Sequence, residues 1–106
     1  MNNDRLSNLL EFYTQDPHEP FLIYGIAMEY AKFNPVEADK FFSILLKDFS
    51  DYLPVYYQAA LFYHEQEDSD KALDLIKKGI AVAQKQQEQK TLTELKNLEM
   101  TIMYDE

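Results

Sequence analysis

Histidine side chains offer the most specific chemistry in this chain. The sequence has His18 and His64 and contains no cysteine, so a zinc site would need histidine and carboxylate ligands. Neither histidine has a suitable ligand three or four residues away on one helix. The nearest pair, His64 and Asp68, straddles a predicted helix end. The sequence therefore predicts no metal site.

A group of carboxylates follows His64. Its members are Glu65, Glu67, Asp68 and Asp70. Carboxylates bind calcium, but this segment lacks the glycine and the twelve-residue ligand spacing of a calcium-binding loop. Negative side chains at the start of a helix interact favourably with the helix dipole. We therefore expect these residues to support a helix N-terminus rather than to bind an ion.

Serine nucleophiles and phosphate-binding loops are the remaining kinds of catalytic feature to consider. Ser43 and Ser69 have no general base at a recognisable spacing. The two glycines, Gly25 and Gly79, fall inside helical patterns, so no glycine-rich loop is available to hold a phosphate. The sequence thus predicts a protein that is not an enzyme, with no catalytic residue and no cofactor.

Composition predicts one helical domain over residues 1–106. Hydrophobic residues make up 46% of the chain, which suffices for a core, and there are only 2 glycines and 4 prolines. The net charge of -9 argues against binding to nucleic acid or to an anionic membrane surface. No signal-peptide pattern or apolar run of transmembrane length is present, and cysteine is absent, so we expect a cytoplasmic protein.

Apolar residues recur at spacings of three and four along most of the chain, which predicts helices. The segment Asn34-Pro35-Val36-Glu37 combines an N-cap, a proline at the first helical position and a capping-box glutamate. Ser69 and Thr91 are the predicted caps of two later helices, although the glutamine-rich residues 84–90 also allow one continuous helix. Six helices are predicted, over residues 4–14, 20–33, 35–48, 54–66, 70–85 and 91–104.

Two stretches repeat one spacing of large and small apolar residues. The first is Ile23-x-x-Ile26-Ala27-x-x-Tyr30 followed by Ala38-x-x-x-Phe42, and the second is Tyr56-x-x-Ala59-Ala60-x-x-Tyr63 followed by Ala72-x-x-x-Ile76. Ala38 and Ala72 are 34 residues apart, a period typical of stacked helical hairpins. The alanines are small where helices would cross, which lets their backbones approach closely.

This spacing resembles the tetratricopeptide repeat. The family's usual glycine between the two helices is replaced by Asn34 and Glu67, and its late proline by Ser50 and Gln84. The layout is similar to that of small stand-alone bacterial proteins with two repeats and a terminal helix. The resemblance implies an all-α, right-handed stack of antiparallel helical hairpins. Its expected parts are an N-terminal helix (4–14), repeat 1 (20–49), repeat 2 (53–86) and a C-terminal capping helix (91–104).

The resemblance also implies a binding surface, because the first helices of successive hairpins in this family line a concave groove. The corresponding residues here are Phe21, Tyr24, Met28, Lys32, Tyr57, Leu61 and His64, with Gln58 and Glu65 as further candidates. Some family members hold a peptide carboxylate with Lys, Arg and Asn residues of this face. This chain has Tyr24, Met28, Tyr57 and Leu61 there instead, so that clamp is absent. An apolar or helical segment of a partner protein is the expected ligand.

Two alternatives to a partner-binding groove remain open from the sequence. The stripe of aromatic residues could be covered internally by the first or the last helix. It could also be buried in a homodimer, since a self-associating structural protein would use either the groove or the C-terminal helix. The apolar residues of that helix end are Met100, Ile102, Met103 and Tyr104.

Overall fold

The computed structural model describes residues 3–105, and it confirms the prediction of an all-α protein built from consecutive helical hairpins. Six helices lie within the described residues. They are α1 (Asp4–Gln15), α2 (Pro20–Tyr30), α3 (Pro35–Asp48), α4 (Pro54–Glu65), α5 (Ser69–Gln86) and α6 (Gln89–Tyr104). Of the helices in residues 3–105, none is long and apolar enough to span a lipid bilayer.

The starts of the helices follow the predicted caps in one case and depart from them in two. The Asn34 side chain accepts a hydrogen bond from the backbone N–H of Glu37 at 3.2 Å, as predicted. Ser69 is not the cap of α5; Asp68 takes that role and accepts from the backbone N–H of Lys71 at 3.2 Å. Thr91 is not a cap either, because α6 already begins at Gln89.

The ends of α4 and α5 share one backbone motif, which also separates α5 from α6. Glu67 and Gln87 adopt left-handed conformations, with φ of 63° and 60°. The following N–H groups, of Asp68 and Glu88, donate back to the carbonyls of Tyr63 and Ala83 at 2.9 Å. This is a Schellman motif with a non-glycine residue at its left-handed position. The alternative of one continuous helix through residues 84–90 is therefore wrong.

The described residues form two compact units that meet in sequence between Tyr52 and Leu53. The first contains α1, α2 and α3. Its core is built from buried side chains of α2 and α3 and from two leucines of α1: Leu6, Leu9, Ile23, Ile26, Ala27, Ala38, Phe41, Phe42 and Leu45. The prediction of a single domain over residues 1–106 stays a prediction.

The second unit contains α4, α5 and α6. Its core joins buried large and small residues of the α4–α5 hairpin to an apolar stripe of α6. These residues include Val55, Tyr56, Ala59, Ala60, Ala72, Leu75, Ile76, Leu92, Leu95, Leu98 and Ile102. Gly79 of α5 lies where Tyr56 and Leu95 converge. The small residues predicted at helix crossings, Ala60 and Ala72 among them, are fully buried.

Candidate functional site

Aromatic side chains of α2 form the part of the predicted binding surface that lies in the first unit. Phe21 is 59% exposed, whereas Tyr24 and Met28 are half-buried. The Tyr24 ring packs edge-on against Tyr52, with centroids 5.6 Å apart and an interplanar angle of 60°. Burial raises the pKa of Tyr24, and the neighbouring Tyr52 adds to that shift. Tyr52 was not anticipated from the sequence, because it lies outside the helical pattern.

Lys32, also predicted at this surface, lies just after the end of α2 and pairs with a carboxylate of that helix. Its Nζ lies 3.1 Å from Oε2 of Glu29, a buried residue that also pairs with Nε of Arg5 at 3.2 Å. Asn3 donates to the other oxygen of Glu29 at 3.3 Å. The hydrogen bond from Lys32 is the largest of the causes that lower the pKa of Glu29, against the opposing effect of burial. This cluster attaches α1 to α2.

The second unit carries the remaining predicted residues on α4, where Tyr57, Leu61 and His64 are all half-buried. Two of them, Leu61 and His64, open onto a cleft of about 670 Å³ that we call the C-terminal cleft. It lies where the ends of α4 and α6 meet the start of α5. Its lining residues are Leu61, His64, Glu65, Glu67, Ser69, Leu98, Thr101, Ile102 and Asp105.

His64 is held by hydrogen bonds at both ring nitrogens. Nδ1 lies 2.9 Å from Oγ of Ser69, and Nε2 lies 2.8 Å from Oδ2 of Asp105. A neutral ring that donates from Nε2 to the carboxylate and accepts from the serine hydroxyl satisfies both contacts. His64 is thus a base beside Ser69 in space, at a sequence separation of five residues that no recognisable spacing predicts. The Schellman turn after α4 brings Ser69 back beside His64.

The hydrogen-bonded residues Ser69, His64 and Asp105 are of the types that form a nucleophilic triad. In a triad the carboxylate is buried, which strengthens its hold on the imidazolium that forms during catalysis. Here the Asp105 side chain is 61% exposed, where water screens its charge. The two hydrogen bonds connect α4 with α5 and with the C-cap residue of α6. Within residues 3–105, no group of three or more His, Asp or Glu side chains is arranged to hold a metal.

Two solved structures are similar to this chain. A solution NMR structure of a tetratricopeptide repeat domain protein from Salinibacter ruber matches with a TM-score of 0.78 and 33% sequence identity. The match covers 82% of this chain and 89% of that one. The chain belongs to the tetratricopeptide repeat family. A crystal structure of a tetratricopeptide repeat domain protein from the same organism matches at a TM-score of 0.77 and 31% identity, covering 83% of this chain and all of that chain, 100%.

Membership in the tetratricopeptide repeat family confirms the resemblance predicted from the repeated spacing. Proteins of this family are generally protein-interaction modules and are typically non-catalytic. No protein-family model matches the sequence, and no curated protein matches it significantly.

Proposed function

We propose that this tetratricopeptide repeat protein binds an apolar or helical segment of a partner protein through α2 and α4, the first helices of its two hairpins, and that it catalyses no reaction. The observation that carries the proposal is the incomplete burial of large apolar side chains on these helices. Phe21 is mostly exposed, and Tyr24, Met28, Tyr57 and Leu61 are half-buried.

Exposed apolar surface is unfavourable in water, and covering it would contribute free energy to binding. Each exposed aromatic side chain leaves apolar area in water that a partner would cover at about 25 cal/mol per Å². Aromatic residues and methionine are also the types most enriched in protein interfaces. Lys32 contributes less in this proposal, because its ammonium is already paired with Glu29.

Substitution of the α4 surface tests the proposal. In the double variant Tyr57→Ser and Leu61→Ser, we expect capture of partner proteins from native lysate to be lost while helix content by circular dichroism is retained. The matched control is Phe33→Ser and Val36→Ser, which removes two exposed apolar side chains (60% and 75% exposed) outside the proposed surface. Equal capture by the wild type and the α4 variant would contradict the proposal.

Self-association is a second candidate, favoured by the outer face of α6. Met100 and Met103 are exposed there, and Tyr104 is 82% exposed. A second copy of the chain would cover these side chains. Light scattering across a hundredfold range of concentration tests this candidate. A mass that rises with concentration and falls back in Met100→Ser with Met103→Ser supports it, whereas a constant monomer mass removes it.

A further inference from the structure

The C-terminal cleft has an apolar floor and an acidic rim. Leu61 of α4 is half-buried and, with the small exposed part of Leu98 of α6, forms the floor, beneath which Ile102 is fully buried. The exposed residues of the rim include Glu65, Glu67 and Asp105. Its volume of about 670 Å³ lies within the range of ligand sites, about 300–1,000 Å³.

The charge of this rim is not neutralised within the described part of the chain. No lysine or arginine is among the residues that line the cleft. Among residues 3–105, the side chains of Glu65 and Glu67 have neither an ion-pair partner nor a hydrogen-bond partner. Asp105 accepts a hydrogen bond from His64, and both nitrogens of His64 are already engaged. Three carboxylates thus surround an apolar floor with no cation among them.

A ligand that fits this pattern must be apolar along its length and positive at its end. Arginine and lysine side chains have this character, because their methylene stems pack on apolar surfaces while their charged heads remain at the rim. Arginine suits the site better, because its planar guanidinium can pair with more than one carboxylate at a time. A neutral ligand would leave the rim uncompensated, and a free metal ion would leave the floor uncovered.

We propose that the C-terminal cleft binds a basic side chain of the partner, preferably arginine, with its stem on Leu61 and Leu98 and its guanidinium between Glu65, Glu67 and Asp105. This deepens the proposed function, on which it rests, by assigning a cationic residue to the segment that is bound. The apolar residues of α4 beside the cleft would supply contact area, and the cleft would set the position and direction of the segment on this helix.

A titration followed by NMR tests this proposal without knowledge of the partner. The probe is N-acetyl-arginine methylamide, added to the ¹⁵N-labelled full chain. The N-acetyl-citrulline analogue has nearly the same shape without the charge, and calcium chloride serves as a cation without a stem. We expect the arginine probe to shift amides of residues 61–69 and 98–105, and the citrulline analogue to shift them much less.

Variants of the rim complete the test. Glu65→Gln with Glu67→Gln removes two charges at exposed positions, and we expect the affinity for the arginine probe to fall about fivefold. The matched control, Glu94→Gln with Glu99→Gln on α6, removes two charges outside the cleft lining and should leave the affinity unchanged. Equal shifts with citrulline, the same shifts with calcium alone, no shifts in the cleft, or unchanged affinity in the rim variant would each overturn the proposal.

The outcomes separate this proposal from the proposed function. Partner capture that survives the rim variant but is lost in the α4 variant would refute the cleft and leave protein binding in place. Arginine binding in the cleft without any captured partner would count against protein binding and leave the cleft's chemistry intact.

Discussion

The two glycines provide a matched pair of substitutions, because both lie inside helices but face different neighbours. A Cβ at Gly79 would lie 2.6 Å from Cβ of Tyr56 and 3.1 Å from Cδ1 of Leu95. A Cβ at Gly25 would lie 3.2 Å from Cδ1 of Leu9, the far end of a flexible side chain. The first contact involves an atom fixed to the backbone of α4, whereas the second can be relieved by rotation of a side chain.

Because of these distances, we expect the substitution of glycine by alanine to have opposite effects on stability at the two positions. Alanine inside a helix is favoured over glycine by about 1 kcal/mol. At Gly79 that gain is outweighed, because α4 and α5 would have to separate by about 1 Å to restore ordinary carbon contacts of ~3.5–4.0 Å. Overpacking of this kind costs about 1–3 kcal/mol, and we take the upper value because Tyr56 is buried. We expect Gly79→Ala to lose about 2 kcal/mol and Gly25→Ala to gain about 0.5 kcal/mol.

Urea denaturation followed by circular dichroism at 222 nm measures both variants against the wild type. With a slope of about 2 kcal/mol per molar urea, Gly79→Ala should lower the midpoint by about 1 M. Gly25→Ala should raise it slightly. If Gly79→Ala were as stable as the wild type, the close contact between α4 and α5 would be wrong.

Three further predictions concern the caps, the buried carboxylate and the hydrogen-bonded serine. Gln87→Gly should stabilise the protein by about 0.5–1 kcal/mol in thermal denaturation, because glycine adopts the left-handed conformation without strain; a loss of stability would contradict the Schellman assignment. Glu29→Gln should destabilise the protein at pH 7 by about 1 kcal/mol, since hydrogen bonds to a charged group are lost. The pKa of Glu29 is lowered in the folded protein, so the stabilisation by its carboxylate is fully present above the ordinary pKa of 4.5 and is lost as the pH falls through the folded pKa. The free energy of unfolding, measured by urea titration, should therefore change more between pH 7 and pH 3 in the wild type than in the variant. Ser69 should not be labelled by a fluorophosphonate probe in intact-mass spectrometry, whereas stoichiometric labelling would show an activated nucleophile.

Patterns of residues close together in the sequence predicted most of the helices and their pairing into hairpins. The repeated spacing around Ala60 and Ala72 predicted the hairpins because small residues must lie where helices cross closely. Asn34 and Pro35 predicted a helix start because both residue types have a strong preference there. The turns at Glu67 and Gln87 could not be predicted in this way, because both residues adopt a left-handed conformation that is usually occupied by glycine.

The candidate site was less accessible to prediction, because its contacts join residues far apart in the sequence. His64 and Asp105 are separated by 41 residues and meet only because α6 packs beside α4 and α5. Ser69 lies five residues after His64, and residues at this spacing do not face each other on a continuous helix. The two side chains meet because the backbone turns at Glu67. Residue types could suggest Leu61 and His64, but they could not show that an acidic rim surrounds them.

Site-specific photocrosslinking tests most directly whether α2 and α4 bind a partner protein. A photoreactive benzoylphenylalanine would replace Tyr57 or Phe21 in the full chain, with Lys47 of α3 as the control position. After irradiation in native lysate, we expect discrete heavier adducts to one common partner from positions 57 and 21, and none from position 47. Adducts of equal yield from all three positions, or none from positions 57 and 21, would contradict the proposal that these helices form the binding surface.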